Sequence, residues 1–114
     1  MGRHGEAIAS YNKAIELKPD FFEAYNNLGA ALSDIDKYEK AVISLVKVVK
    51  LNPYITEAWY NLGNSLKSLD KKEEAIISYS KAIGLKPEYA EAYNNLGIIL
   101  NELGKQEEAI INYN

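Results

Sequence analysis

The sequence predicts an all-α protein, built as an array of antiparallel helix pairs. The first observation is a repeat, because near-identical phrases return every 34 residues: EAYNNLG at 23–29, EAWYNLG at 57–63 and EAYNNLG at 91–97. The second is the length, since the chain makes about 3.4 such periods without an insertion. The third is the spacing of the apolar residues, which recur at three- and four-residue intervals in two blocks per period, as on amphipathic helices.

The repeat divides the chain into four segments of one domain. Residues 1–21 hold a partial repeat with a second helix only, at about 6–17, and residues 22–55 and 56–89 hold complete repeats. Residues 90–114 hold a repeat that is truncated in its second helix. We therefore expect about seven helices. If A denotes a first helix and B a second helix, their order is B-A-B-A-B-A-B.

Turn residues indicate where these helices begin and end. Asp36 and Asp70, each followed three residues later by a glutamate, favour N-caps of second helices. Gly104 stands at the equivalent place in the last cycle and favours a left-handed turn there. Thr56 is a candidate N-cap of the first helix that follows it. Prolines at the same 34-residue spacing are expected to stop the second helices: Pro19, Pro53 and Pro87.

Small residues mark the points where the two helices of a pair are expected to cross at close range. Glycines lie on the first helices at 34-residue spacing: Gly29, Gly63 and Gly97. Alanines lie on the second helices at the same spacing: Ala41, Ala75 and Ala109. Bulky residues are expected to fill the space around each crossing: Tyr25, Trp59 and Tyr93 from first helices, and Tyr11, Leu45, Tyr79 and Tyr113 from second helices.

One cycle carries the complete pattern of an aromatic residue, Leu-Gly, alanine, a bulky residue, alanine and proline. Its residues are Trp59, Leu62, Gly63, Ala75, Tyr79, Ala82 and Pro87. This pattern on a 34-residue period resembles the tetratricopeptide repeat, and the resemblance covers residues 6–114. Leu45 and Val48 depart from the pattern in a conservative, apolar way. The resemblance implies a right-handed superhelix whose first helices line a concave face and whose second helices line the convex face.

The chain also begins and ends, in this reading, on second helices without a polar capping helix. One interpretation is that it is a fragment of a longer array. The other is that its terminal faces stack on another copy, as a homo-oligomer or through an exchanged helix.

Composition and chemistry argue against several classes of function. With 13 basic and 16 acidic residues the net charge is −3, which is unsuited to nucleic acid or anionic membrane surfaces. The chain has no cysteine and a single histidine, His4, near the N-terminus, so neither a metal site nor a nucleophile with its base is expected. We expect no cofactor, no enzymatic activity and a cytoplasmic location.

The surface that remains for function is the face of the first helices that points away from the core. Its positions are Glu23, Asn26, Asn27, Ala30, Ser33 and Asp34, then Glu57, Tyr60, Asn61, Asn64, Lys67 and Ser68, then Glu91, Asn94, Asn95, Ile98, Asn101 and Glu102. Five acidic residues oppose one lysine in this set, so the negative charge of the chain concentrates there. The predicted peptide-binding residues are Glu23, Asn26, Asn27, Glu57, Tyr60, Asn61, Asn64, Lys67, Glu91, Asn94, Asn95 and Ile98.

One asparagine per cycle forms a ladder along this face: Asn27, Asn61 and Asn95. A primary amide donates and accepts, so such a row can bind the main chain of an extended peptide. The ladder is similar to that of the superhelical repeats in the glycosyltransferases that attach N-acetylglucosamine to proteins. The alternative is that these amides only bind neighbouring repeats.

The same face indicates which partner it accepts. Chaperone-binding members of the resembled family hold acidic peptide tails with Lys, Arg and Asn, whereas the matching positions here lack the bases. We expect a neutral or basic extended segment to be favoured over an acidic tail. Tyr60 is the candidate aromatic anchor and Ile98 a candidate apolar contact. Two other functions stay open: self-association, and service as the substrate-presenting arm of a larger enzyme such as a glycosyltransferase.

Overall fold

A computed structural model describes the backbone of residues 3–113 and the side chains of residues 3–106. Six helices make up this part of the chain: α1 (His4–Leu17), α2 (Phe22–Asp34), α3 (Tyr38–Leu51), α4 (Thr56–Ser68), α5 (Lys72–Leu85) and α6 (Ala90–Tyr113). Each helix packs on the next, and α2 also contacts α4 while α4 contacts α6. The even-numbered helices therefore stand side by side on one face, and α1, α3 and α5 lie on the other. The predicted all-α solenoid of helix pairs is confirmed.

Two of the three predicted close crossings are present. A Cβ atom placed on Gly29 would lie 2.6 Å from Leu45 Cγ, and one placed on Gly63 would lie 2.7 Å from Tyr79 Cε1. Ala41 and Ala75 are fully buried beside these crossings. The bulky residue of each second helix thus fills the notch that the glycine leaves, which is possible only because glycine has no side chain.

The third crossing is open. A Cβ atom on Gly97 would meet no atom within 4 Å, and the glycine itself is exposed. The side chains predicted to cover it, Ala109 and Tyr113, lie outside the residues whose side chains are described. The prediction of a close crossing at Gly97 is therefore wrong for the part of the chain that the structure describes.

Asp36 and Asp70 are not N-caps of the second helices, contrary to prediction. Both adopt left-handed backbone, with φ of 62° and 59°, and the residues that precede α3 and α5 are Lys37 and Lys71, which make no capping side-chain bond. The amide of Lys37 donates to the carbonyl of Leu32, and that of Lys71 to Leu66. The two aspartates therefore end the first helices, since their short polar side chains tolerate this conformation.

The N-cap predicted at Thr56 is also wrong. Thr56 is the first residue of α4, and Ile55 precedes it without a capping side-chain bond. The backbone carbonyl of Ile55 accepts hydrogen bonds from Ala58 and Trp59 instead.

Gly104 does not break the last helix, so six helices stand where about seven were predicted. α6 runs without interruption from Ala90 to Tyr113. In the two earlier turns, a side chain two residues on binds the aspartate: Tyr38 Oη donates to Asp36 Oδ1 at 2.8 Å, and Lys72 Nζ lies 3.5 Å from Asp70 Oδ1. Gly104 has no carboxylate to form this bond, and glycine accepts helical backbone as well as left-handed backbone.

Candidate functional site

The predicted binding residues lie along α2, α4 and α6, the three helices that share one face, and we call this surface the groove. Its exposed members are Glu23, Asn27, Glu57, Glu91, Asn94 and Ile98, and its half-buried members are Asn26, Tyr60, Asn61, Asn64, Lys67 and Asn95. All twelve are accessible to some degree, so none of them belongs to the core. The structure divides them, however, into residues with open space before them and residues bound to one another.

A cavity of about 350 Å³ opens at the α1 end of the groove. Residues of α1 and α2 line it: Arg3, His4, Ala7 and Tyr11 on one side, and Asn27, Ala30, Ala31 and Asp34 on the other. His4 Nε2 lies 3.5 Å from Asp34 Oδ2 across its rim. Among the described residues, the Asn27 amide forms no side-chain hydrogen bond, so it is available to a ligand.

A second cavity, of about 130 Å³, lies between α2 and α4. Ala30, Ser33 and Asp34 line it from α2, and Asn61 and Asn64 line it from α4. Ala30 and Asp34 line both cavities, so the two adjoin along the groove. The amide of Asn61 also makes no side-chain hydrogen bond within the described part of the chain. The first two members of the ladder therefore line adjoining cavities.

The third asparagine of the ladder is engaged within the protein. Asn95 Nδ2 donates to Asn64 Oδ1 at 3.0 Å and to Tyr60 Oη at 3.3 Å. Tyr79 Oη donates to the same Asn64 oxygen at 2.6 Å. Burial and, to a smaller extent, the nearby Tyr60 raise the pKa of Tyr79 well above its ordinary value. This network ties α4, α5 and α6 together beneath the groove.

Tyr60 forms part of the groove wall. Its ring packs against Tyr79 and Tyr89, with ring centres 6.0 Å and 4.9 Å apart. Burial raises the pKa of Tyr89, and Tyr60, Glu91 and Glu57 raise it further. The two glutamates thus place negative charge beside this aromatic cluster, at the α4–α6 end of the groove.

Polar contacts join α2 to α4 along the groove. Asn26 Nδ2 donates to Glu57 Oε1 at 3.2 Å, and the hydroxyls of Ser33 and Ser65 lie 2.7 Å apart. The Asn26 Oδ1 atom is buried without a hydrogen-bond partner among the described residues. These contacts fix the spacing of neighbouring first helices, and so the width of the groove.

Three residues of α1 and its approach contribute to the site although the sequence pattern did not single them out for it. Arg3, His4 and Tyr11 line the larger cavity. The repeat period could have predicted that the first helix starts at His4. Tyr38 is the first residue of α3, and the position 34 residues before it is His4, the first residue of α1. His4 is thus the first residue of an ordered helix facing the groove.

The described residues hold no cluster of three or more His, Cys, Asp or Glu side chains that suits a metal ion. Nor does any helix in that part of the chain combine the length and the apolar character that crossing a bilayer requires. The groove residues offer mainly amides, carboxylates and an aromatic ring.

Two family models match the chain, and both describe the same kind of repeat. The family model described as TPR repeat matches residues 1–36 and 63–104, and the model described as tetratricopeptide repeat matches residues 22–55. Together the matches take in all three glycines of the predicted crossings. A search of curated protein sequences finds no significant match.

Solved structures give the same result over nearly the whole chain. A crystal structure of MamA is 35% identical over 98% of this chain and 66% of its own, with a TM-score of 0.88. The first TPR of Spaghetti (RPAP3), bound to the HSP90 peptide SRMEEVD, is 30% identical over 90% of this chain and 82% of its own, with a TM-score of 0.89. The first TPR domain of human RPAP3 is 30% identical over 94% and 84%, with a TM-score of 0.87. The chain thus spans less than two thirds of the MamA structure's length.

Proposed function

The chain belongs to the tetratricopeptide repeat family, and we propose that it is a non-catalytic scaffold that holds an extended segment of another protein in its groove. One observation carries this proposal. The two cavities along α2 and α4 adjoin at Ala30 and Asp34, and each presents an asparagine amide that forms no side-chain hydrogen bond among the described residues. Adjoining cavities with amides at successive repeats suit a peptide that runs along the groove.

The main chain of the bound segment is the proposed target of these amides. Asn27 and Asn61 each offer one donor group and one acceptor, which matches the alternating N–H and C=O groups of an extended peptide. Asn95 can contribute only by giving up its bonds to Asn64 and Tyr60. We therefore assign the direct contacts to two members of the ladder and the support of the groove wall to the third.

The proposed partner is neutral or basic. Glu57 and Glu91 stand beside the aromatic cluster, where they oppose a carboxylate-rich ligand, although Lys86 Nζ also lies 4.8 Å from the centre of the Tyr89 ring. The RPAP3 domain that shares this fold is bound to a peptide with three acidic residues, SRMEEVD. We expect the present groove to disfavour that peptide, since the twelve groove residues include a single base, Lys67.

Self-association is a second candidate function, and the exposed face of α6 favours it. Tyr93, Gly97 and Leu100 are solvent-exposed on this helix, although their equivalents in α2 and α4 are buried or half-buried. This surface lies apart from the cavities of the groove, so the two functions do not compete for the same residues.

The test of the groove is a set of equal-length extended peptides that differ in net charge, scored for binding to the wild type by fluorescence anisotropy. The tightest binder is then titrated against the double variant Asn27→Ala and Asn61→Ala. We expect a loss of about tenfold or more in affinity, since each amide contributes about 0.5–1.5 kcal/mol. Asn12→Ala is the matched control, because Asn12 is exposed on α1 and lines a separate depression.

Two outcomes would contradict the proposal. Unchanged binding by the double variant would remove the amides from the mechanism, and a preference for acidic peptides would overturn the charge argument. A charge reversal, Glu91→Lys, sharpens the second point. It is expected to weaken basic peptides and to reduce the salt dependence of their binding.

A further inference from the structure

The exposed face of α6 is equivalent to the faces of α2 and α4 that another helix covers. The equivalent leucines of α2 and α4, Leu32 and Leu66, are 7% and 5% exposed, whereas Leu100 is 51% exposed. Gly97 likewise stands open, while the notches at Gly29 and Gly63 are filled by Leu45 and Tyr79. What covers this surface in each earlier repeat is the second helix that follows it.

The chain itself contains a segment that fits this surface. Residues 105–113 read KQEEAIINY, a near copy of KKEEAIISY at 71–79, which begins at the turn before α5 and ends at the tyrosine that fills the Gly63 notch. By this alignment Tyr113 holds the place of Leu45 and Tyr79. The segment therefore has the sequence of a covering helix.

The segment cannot cover its own α6 face in the observed conformation. α6 passes straight through Gly104, so residues 105–113 continue its axis rather than turn back along it. The two formed turns differ at this point, since Asp36 and Asp70 adopt left-handed backbone and their carboxylates bind the side chains of Tyr38 and Lys72. A straight α6 instead carries the segment away from its own chain, to where an identical copy can receive it.

We propose that two copies of this chain exchange residues 105–113, so that each segment covers the Tyr93, Gly97 and Leu100 face of the other copy's α6. Each copy gives the segment and receives one, which makes the interface isologous and closed at two copies. The contacts are those that every repeat already uses, so no new complementarity is required. The exchange specifies the self-association candidate and is independent of peptide binding, since it uses neither Asn27 nor Asn61.

Disulfide trapping tests the exchange directly, since the sequence contains no cysteine. Two single variants, Gly97→Cys and Tyr113→Cys, are purified, mixed and oxidised. Leu45 Cγ lies 2.6 Å from a Cβ on Gly29, so the equivalent pair is close enough for a disulfide. We expect a covalent heterodimer of the two variants. Its absence would overturn the proposal, because exchange alone brings residues 97 and 113 of different copies together.

Two further variants keep the test interpretable. The double variant Gly29→Cys with Leu45→Cys, the same pair two repeats earlier, is expected to form a disulfide within one chain and controls for geometry and folding. A double variant Gly97→Cys with Tyr113→Cys that gave only the intramolecular bond would mean that α6 folds back on its own chain, and the exchange would be wrong.

The substitution Gln106→Pro is expected to disrupt α6 only if the helix continues through Gly104, and not if residues 105–113 form a separate second helix. Residue 106 aligns with Lys72, the first residue of α5, where proline is tolerated. Lys71 before it, with φ −93° and ψ 71°, lies outside the α region that a following proline disfavours. The same proline breaks a helix that runs through Gly104. Light scattering is expected to show loss of the dimer in this variant while peptide binding in the groove is kept. A Gln106→Pro protein that stays dimeric would contradict exchange through a straight α6.

Discussion

At the scale of single residues, some glycines are required by close packing and others are not. Gly29 and Gly63 are required by close approach, since a side chain there would overlap Leu45 or Tyr79. Gly84 lies inside α5 and has no atom within 4 Å of the position of its missing Cβ. The 34-residue spacing separates Gly29 and Gly63 from Gly84, but Gly97 shares the spacing and is open.

Gly63→Ala is expected to destabilise the fold by about 1–3 kcal/mol, because the new methyl group would lie 2.7 Å from a ring carbon of the fully buried Tyr79. Urea unfolding monitored by circular dichroism measures the change. The control is Gly84→Ala, which meets open space and is expected to stabilise α5 by about 0.5–1 kcal/mol. Equal effects of the two changes would show that helix propensity, and not the crossing, decides the result.

At the scale of elements, the repeat period predicts the helices well and their ends poorly. The 34-residue spacing places α1 to α5 and the glycine notches, because these depend on apolar periodicity within the chain. It did not show that Asp36 and Asp70 are left-handed while Gly104 is helical. The residue types alone predict the opposite, since glycine adopts left-handed backbone more readily than aspartate. The difference depends on the side chains that bind each aspartate, and on whether a second helix packs behind the turn.

Alanine is expected to have opposite effects on stability at the equivalent positions 70 and 104, because the backbone is left-handed at Asp70 and helical at Gly104. Asp70→Ala is expected to destabilise by about 1 kcal/mol, since alanine tolerates left-handed backbone less well than aspartate. Gly104→Ala is expected to stabilise by about 1 kcal/mol, because position 104 is helical. Thermal unfolding of both variants measures these shifts.

Asp70→Gly completes this series. Glycine relieves the left-handed strain but loses more conformational freedom on folding, so a gain of about 0.5 kcal/mol is expected. A destabilised Gly104→Ala protein would mean that α6 bends at that residue in solution.

At the scale of the whole molecule, the groove depends on how the helices pack together, and the sequence predicts only part of that packing. The period indicates that Asn27, Asn61 and Asn95 line one face, and their helices do share it. It does not show that Asn95 is bound to Asn64 and Tyr60, since this network joins residues 31 and 35 positions apart. Nor did it place His4 beside Asp34, because that contact depends on how α1 docks on α2.

The core of the molecule is likewise divided along the array. A small cluster joins Leu28, Leu32 and Ala41 to Tyr11 and its neighbours on α1, and a larger cluster joins residues of α3, α4, α5 and α6. Among the described helices, α1 contacts α2 only and has no buried residue. In such an array each helix pair depends on its nearest neighbours, so stability should fall off toward α1 and should not be uniform.

Tyr11→Ala tests this gradient, because Tyr11 joins α1 to the smaller cluster and touches nothing in the larger one. Native-state amide hydrogen exchange is expected to show faster exchange throughout α1 and in the α1-facing part of α2, with α4 and α5 unchanged. Loss of a half-buried aromatic ring should cost about 1–3 kcal/mol there, less than full burial would give. Tyr54→Ala is the control, since this tyrosine is 77% exposed. An equal loss of protection in all helices would mean that the array unfolds as one cooperative unit, because only then does a defect in α1 reach α5.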